Sequence, residues 1–390
     1  MVPTFDEVAA VRGGAPAPGA VAAAGMSRSA KLRAVWHLMR RRAKEGHLPL
    51  GRQVYEVAYL YVRNGLSPTY YYSGGLYQRD IPWREKREHI TTRTYLRLLR
   101  HVNEPLVRFL TQNKVVTAGL LQLFDVPAPA FYGYLSASAG QTFDARPLRS
   151  CDDLRALLSR GAIRCLCFKP ITGWGGKGFI KLSVPQGEGS EVVLEPEGRR
   201  IDLQTLWDDY LSEKGGDGYL CQEVVEQHPD LARFNPSSVN TIRTMMVRGS
   251  NGRWGMLDAW LRMGRGAVAV DNGAMGGITA RIDKATGTIG PARDVCLDFM
   301  TFDHHPITGV PIAGSRIPMW EEVQRVSEQT ATVFDYMSWL AIDVAVGAAG
   351  PLIIEINEQP DSLCQLDARQ AWGTLLRELS RRPRRDIHAR

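Results

Sequence analysis

The sequence predicts an α+β protein in which two lobes rich in antiparallel strands follow a helical N-terminal extension. Three observations carry that expectation. Trp339 to Val344 and Leu352 to Asn357 are apolar β-like runs joined by the Gly347-Ala348-Ala349-Gly350 turn. Cys165 to Pro170 and Phe179 to Val184 form a second such pair, separated by glycines and not by a helix. Hairpin signals at Ser250-Asn251-Gly252 and Asp283-Lys284-Ala285-Thr286-Gly287 lie between further strand-like runs, with the amphipathic run Trp320 to Tyr336 as a helix backing that sheet.

The first pair carries the chemistry. An extended strand sends residues two apart to the same face, so Glu355 and Asn357 point the same way, with Asp343 on the neighbouring strand. Charged groups are seldom buried unless paired or metal-bound, and Ile, Val and Leu surround these three. Oxygen donors converging from adjacent strands suit a hard cation such as Mg²⁺, which keeps waters and takes other ligands from substrate phosphates. The residues therefore point to nucleotide phosphate chemistry; solvent-facing strand positions are the plain alternative.

In the second pair, a strand ends in Lys169-Pro170 and the chain passes through Gly173, Gly175, Gly176 and Gly178 before re-entering a strand. The dinucleotide fingerprint and the Walker loop both need a helix directly after the glycines, so neither fits. Glycines still let backbone amides curl around phosphate oxygens, and Lys169 places a point charge on them. A plain hairpin turn is the other reading.

With these motifs stand Gln222-Glu223-Val224-Val225-Glu226, Asn240-Thr241-Ile242-Arg243, Arg262, and Asn272 followed by Gly276-Gly277. Their order resembles that of the ATP-grasp ligases, closest to the glutamate-ligase-like branch and its sugar-transfer-associated relatives, over residues 107 to 375. The resemblance implies an ATP-grasp fold, in which two α+β lobes grip a nucleotide. It implies ATP and Mg²⁺ as cofactors, with two ions and Mn²⁺ as an alternative. Lys114, before an apolar helix, and Lys169 would hold phosphates. Glu223 to Val225 would read the adenine edge, with Glu226 or a neighbour near the ribose, and Gly173 to Gly178 would form a lid. Arg243, Arg262 and Asn272 would serve catalysis, and Asp343, Glu355 and Asn357 would bind the metal. A planar guanidinium suits the acceptor carboxylate and the transferring phosphoryl group. The implied activity joins a small-molecule or peptide carboxylate to an amine through an acyl phosphate. A phosphotransferase on the same fold, or a nucleotide-binding module without activity, are the competing readings.

The chain departs from the resemblance in one turn and, more seriously, over its front segment. Relatives often follow the Glu-x-Asn pair with Ser-Pro-Gly, where this chain has Glu358-Gln359-Pro360-Asp361. The small α/β domain that opens most glutamate-ligase-like members has no counterpart in residues 1 to 105, which show no strand-helix alternation.

The expected organisation is a disordered tail over 1–26, a helical basic domain over 27–105, a smaller lobe over 107–225, a larger lobe over 226–375 and a basic tail over 376–390. The 390 residues, 44% of them hydrophobic, can bury a full core. Asp6 and Glu7 stand where a signal peptide would be basic, and no apolar run approaches the length of a membrane span. Six scattered cysteines without a Cys-x-x-Cys fit buried thiols in a reducing cytoplasm. Net charge is +7, and residues 1 to 105 hold 17 Lys/Arg against 8 Asp/Glu. Arg40-Arg41-Arg42-Ala43-Lys44 precedes Tyr55, Tyr59, Tyr61, Tyr70, Tyr71, Tyr72 and Tyr77. Basic residues interleaved with aromatics can bind nucleic acid, but no RNA-binding motif accompanies them. A solvated helical face is the more ordinary reading, and an anionic substrate or an anionic membrane surface competes with nucleic acid.

Overall fold

The computed structural model describes residues 27–105, 108–160, 163–173, 175–185, 191–195, 197–212, 217–266, 271, 276–294 and 296–382. The expected tail over 1–26, Asn272, and residues 383–390 of the expected basic tail lie outside the described residues.

The extension is helical: α1 (Arg28–Lys44), α2 (Leu50–Asn64), α3 (Pro68–Ser73), α4 (Trp83–Lys86) and α5 (Thr92–Val102). Side-chain caps set the starts. The hydroxyls of Ser27, Ser67 and Thr91 accept from the amides of Ala30, Tyr70 and Thr94. The helical stretch expected from Trp83 to Val102 is broken between α4 and α5, where Asn64 Nδ2 donates to the carbonyls of Arg87 and His89 at 2.7 and 2.8 Å and replaces the lost helical bonds. Two short helices follow, α6 (Arg108–Gln112) and α7 (Lys114–Leu123). The Asn113 carboxamide caps α7 by accepting from the amides of Val115 and Val116, which fixes Lys114 in its first turn.

The first sheet holds β1 (Phe131–Leu135), β2 (Gln141–Thr142), β3 (Cys165–Pro170), β4 (Ile180–Ser183), β5 (Glu191–Glu195), β6 (Arg199–Asp202) and β7 (Tyr219–Glu223) in the order β2-β1-β7-β3-β4-β5-β6. α8 (Cys151–Leu158) and α9 (Leu203–Leu206), which runs into a π-helical turn at Trp207–Leu211, cover one face through Leu154, Leu157 and Leu206. After the turn α10 (Pro229–Ala232) comes the second sheet: β8 (Ile242–Arg248), β9 (Trp254–Met263), β10 (Ile278–Ile282), β11 (Ile289–Asp294), β12 (Thr301–Phe302), β13 (Trp339–Gly347) and β14 (Gly350–Asn357), ordered β12-β11-β10-β9-β8-β13-β14. Both expected hairpins are present, as β8-β9 and β10-β11.

Each face of the second sheet has its own cover. α11 (Trp320–Val333) packs Val323 and Val326 against Ile242, Leu261, Ile342 and Ile356. The opposite face, with Met245, Trp260, Trp339 and Ala341, is covered by α5 and by the last helices, α12 (Cys364–Asp367) and α13 (Gly373–Ser380). Trp372 meets Trp339 edge-on at 4.9 Å and Tyr95 at 6.0 Å, and all three are buried. Gly373 permits this approach: its amide donates to Glu88 O at 3.0 Å, and a Cβ there would stand 2.3 Å from that oxygen. α13 passes residue 375, where a tail was expected, because Leu376 and Leu379 belong to this core. Asn103, buried at the end of α5, donates to the carbonyls of Trp339 and Glu358 at 2.8 Å each and accepts from the amides of Ser338 and Trp339. The helical extension is thereby fastened to β13 and to the end of the edge strand β14.

Inside the extension, Tyr71, Tyr72 and Tyr77 are core residues, not an aromatic platform. Tyr71 donates to Glu56 at 2.8 Å, and Lys86 Nζ reaches the same carboxylate at 2.9 Å; Glu56 and Lys86 are both buried. A buried charge pair is tolerated when hydrogen bonds complete it, as they do here.

His89 lies in the break between α4 and α5, with its Nδ1 2.9 Å from the Tyr70 hydroxyl, and burial pushes its pKa down to about 4 from 6.5. The unfolded chain takes up the proton more readily than the folded one, so acid favours unfolding. The stability that neutral His89 contributes is complete above pH 6.5 and is lost as the pH falls from there to about 4, by about 3 kcal/mol. Urea unfolding across that range is expected to show this slope, and His89→Asn should flatten it.

Candidate functional site

The register of the second sheet assembles the polar residues. β13 pairs with β14 so that Asp343 lies opposite Glu355 and Ala341 opposite Asn357. The two-residue period then puts Asp343, Glu355 and Asn357 on one face, as the sequence pattern requires. β8 sets Arg243 opposite Asp343, and β9 sets Trp260 opposite Arg243. Arg262, two residues further along β9, shares that face and donates its amide to Thr241 O at 2.8 Å. This is the face whose apolar half lies under α5, α12 and α13.

Asp343 is buried, and its carboxylate is held by two guanidinium groups. Arg243 binds it through Nε and Nη2 at 2.6 Å each, and Arg262 Nη1 reaches Oδ2 at 3.0 Å. Burial works to raise the Asp343 pKa, but the charges and hydrogen bonds of Arg243 and Arg262 outweigh it and hold the carboxyl below its ordinary value. Arg262 also faces Asp271 at 3.4 Å, and Asp271 Oδ2 accepts from the Thr241 amide at 2.8 Å and from its hydroxyl. Asp271 was not singled out from the sequence; in Asp271-Asn272-Gly273 it reads as turn chemistry, and only the approach of β9 pairs it with Arg262.

Lys114 joins the two sheets. Its ammonium donates to Gly173 O in the glycine loop at 2.9 Å and lies 3.9 Å from Glu355 Oε1. Its amide donates to Ile171 O. Burial pushes the Lys114 pKa down, the Glu355 charge pulls it back up, and the nearby Lys169 charge lowers it again. The Lys114 and Lys169 charges act on one another beside the single Glu355 carboxylate that Lys114 faces, a net positive site suited to an anion. Gly173, Gly175, Gly176 and Gly178 all take positive φ. At Gly178 a Cβ would stand 2.9 Å from the ring of Pro170, so this turn requires glycine twice over. A cavity of about 450 Å³ lies between α7, residues 125–131, β7 and the outer edge of β14, with Lys114, Gln222 and Glu355 on its wall.

Glu223 ends β7, where its amide donates to Ala130 O at 2.9 Å, and Val225 and Glu226 lie in the connection leading to the second sheet. That connection is tied to β13 by His228 N donating to Val346 O. These three residues border the junction of the sheets. Glu358, noted in the sequence as a departure, is buried and accepts from Arg108, Thr111 and Gln112 at 2.9, 2.9 and 3.1 Å. It fastens α6 to the end of β14 and so sets Lys114 relative to Glu355, a role no local pattern reveals.

Among the described residues no group of three or more His, Cys, Asp or Glu could hold a metal ion. The donor set on the β13–β14 face is two carboxylates and an amide, the set expected where phosphate and water oxygens complete a Mg²⁺ shell. Glu355 fits, its charged partner among the described residues being Lys114. Asn357 would offer a cation its Oδ1, while its buried Nδ2, which has no hydrogen-bond partner, is a donor suited to a phosphate oxygen. Asp343, expected as the third ligand, already gives both oxygens to Arg243 and Arg262.

The model of the sugar-transfer associated ATP-grasp family matches residues 93–378. No curated protein matches the chain. Among solved structures, N5-carboxyaminoimidazole ribonucleotide synthetase from Thermotoga maritima is similar at 12% identity and a TM-score of 0.38, covering 76% of this chain and 57% of its own. Biotin carboxylase from Campylobacter jejuni is similar at 11% and 0.42, covering 70% and 47%. The ATP-grasp ligase PsnB, in complex with a minimal precursor, Mg and ADP, is similar at 12% and 0.36, covering 72% and 62%. The chain spans less than two thirds of the length of each.

Removing one member of a buried ion cluster leaves the others uncompensated, which costs about 3–5 kcal/mol. Asp343→Asn is therefore expected to lower unfolding stability by that amount, whereas Glu355→Gln, at a partly exposed site, should stay within about 0.5 kcal/mol of the parent. Urea titration of both variants checks the contrast, and equal effects would contradict it.

Proposed function

The chain belongs to the sugar-transfer associated ATP-grasp family, and we propose that it is an ATP-dependent ligase joining a carboxylate to an amine. The observation that carries this reading is the position of Lys114, which touches the glycine loop of one sheet and faces Glu355 on the other. A phosphate chain placed there would meet Lys114 from α7, Lys169 from the first sheet and the Arg243–Arg262 pair on the second. The cavity beside Gln222, with Glu223, Val225 and Glu226 at the junction, takes the nucleoside. Glu355 and Asn357, with Asp343 behind them, would hold Mg²⁺, whose charge would offset that of the phosphates.

In this reading a substrate carboxylate oxygen attacks the γ-phosphorus as the bond to the ADP oxygen breaks, giving an acyl phosphate. The amine nitrogen then attacks the acyl carbon, inorganic phosphate leaves, and an amide forms after loss of a proton. Arg243 and Arg262 hold the charges that develop, Asn272 serves the same chemistry, and the glycine loop closes over the nucleotide to exclude water.

Carboxylate substrate labelled with heavy oxygen is expected to deliver one label to the released phosphate, and unlabelled phosphate would sink the acyl phosphate route. A stable phosphorylated product would instead indicate phosphotransfer. Glu355→Gln should abolish turnover while leaving the fold intact. Hydrogen exchange over residues 173–178 is expected to slow on binding an ATP analogue; unchanged exchange would remove the lid role.

A further inference from the structure

The family match begins at residue 93, so α1 to α4 lie outside it. α1 and α2 share one small core, formed by Val35, Leu38, Met39, Leu60, Tyr71 and Tyr72, and turn their other sides to solvent. On α2 the outward side chains are Val54, Tyr55, Ala58, Tyr61 and Val62, all exposed, with Tyr61 at 62% and Val62 at 78%. At 3.6 residues per turn they fall within an arc of about 120° that holds no charge. Arg52 and Arg63 lie beyond one edge of it. On α1, Leu32 and Trp36 are exposed together with Arg33, His37, Arg40 and Lys44.

From Arg28 to Asn64 there are nine Lys/Arg and two Asp/Glu. The two acids pair with some of the basic residues, Glu56 with Lys86 and Arg52 and Glu45 with Arg41 and Arg42, and leave the rest of the positive charge in place. Arg33, Arg40 and Lys44 make no ion pair among the described residues. A solvated helical face does not need Val54, Tyr61 and Val62 in a row, and an exposed apolar strip rimmed by basic residues marks an interaction site.

We propose that the α1–α2 face docks on an anionic lipid bilayer, the α2 strip entering at headgroup depth and the basic residues of α1 meeting lipid phosphates. Tyr and Trp suit that depth because each has an apolar body and a polar tip. The charge argues against a second copy as the occupant, since a two-fold contact would press two strongly basic faces together. Nucleic acid is the poorer fit, because Tyr71, Tyr72 and Tyr77 are buried and aliphatic Val54, Val62 and Leu32 on the exposed strip offer nothing to a base. No helix among the described residues is long and apolar enough to cross a membrane, so the contact is peripheral.

The test is co-sedimentation of the full chain with phosphatidylcholine vesicles, with and without phosphatidylglycerol. Binding is expected to be at least about tenfold tighter to the anionic vesicles, because each basic residue at the surface adds roughly fivefold, and to weaken with salt. Tyr61→Ser combined with Val62→Ser should lower binding to both vesicle types, and Arg33→Gln with Arg40→Gln should remove the anionic preference. All four positions are exposed, and circular dichroism confirms that the variants fold. Three outcomes overturn the proposal: no binding to anionic vesicles, binding unchanged in both double variants, or tighter binding to single-stranded RNA than to vesicles. A concentration-dependent dimer abolished by the Tyr61/Val62 substitutions, without lipid, would assign the face to self-association and overturn it as well.

Discussion

A single carboxylate constrains the central sheet. Asp343 lies in the middle of β13, a strand buried along its whole length, where an unpaired charge is not tolerated. It is accommodated because β8 and β9 each bring an arginine to the same face, and those arginines arrive only if three strands hold one register. A one-residue slip of β8 would turn Arg243 to the opposite face, among the aliphatic residues under α11. The ion cluster thus acts as a register pin as well as a set of chemical groups. The β13–β14 register then determines where Glu355 and Asn357 stand.

The second level of organisation is the joint between the sheets. Lys114 could have been an ordinary first-turn lysine, but three separate contacts fix it: the Asn113 cap, the backbone bond to Ile171 and the ammonium contact with Gly173. Glu358 and Asn103 hold the same region from behind, tying α6 and α5 to the end of β14. The cleft beside Lys114 and Glu355 is consequently built on several independent supports.

The helical extension does two jobs with its two sides. α5 completes the core under the ion cluster, so part of the extension is structurally inseparable from the sheet that carries the site. α1 and α2 stand farther out on a core of their own, where Glu56 and Lys86 hold buried charge and the outer surface is free to be both apolar and basic. The seven tyrosines and the run of arginines were visible as composition; which of them face solvent is a property of packing.

The sequence by itself determined the class of the protein and set the candidate polar residues on their strands. Period-two patterning gave the strands, the glycine and turn residues gave the hairpins, and the placement of Glu355 and Asn357 on one face beside Asp343 followed from a short turn between two strands, all of them local rules. Tertiary structure decided the rest. That Asp343 would meet two arginines, that Asp271 would face Arg262, that Lys114 would reach Gly173 and Glu355, and that Glu358 would anchor α6 depend on contacts between residues far apart in the chain. Charge pairing is decided by distance in space, and no local pattern fixes that distance before the sheets and helices have packed.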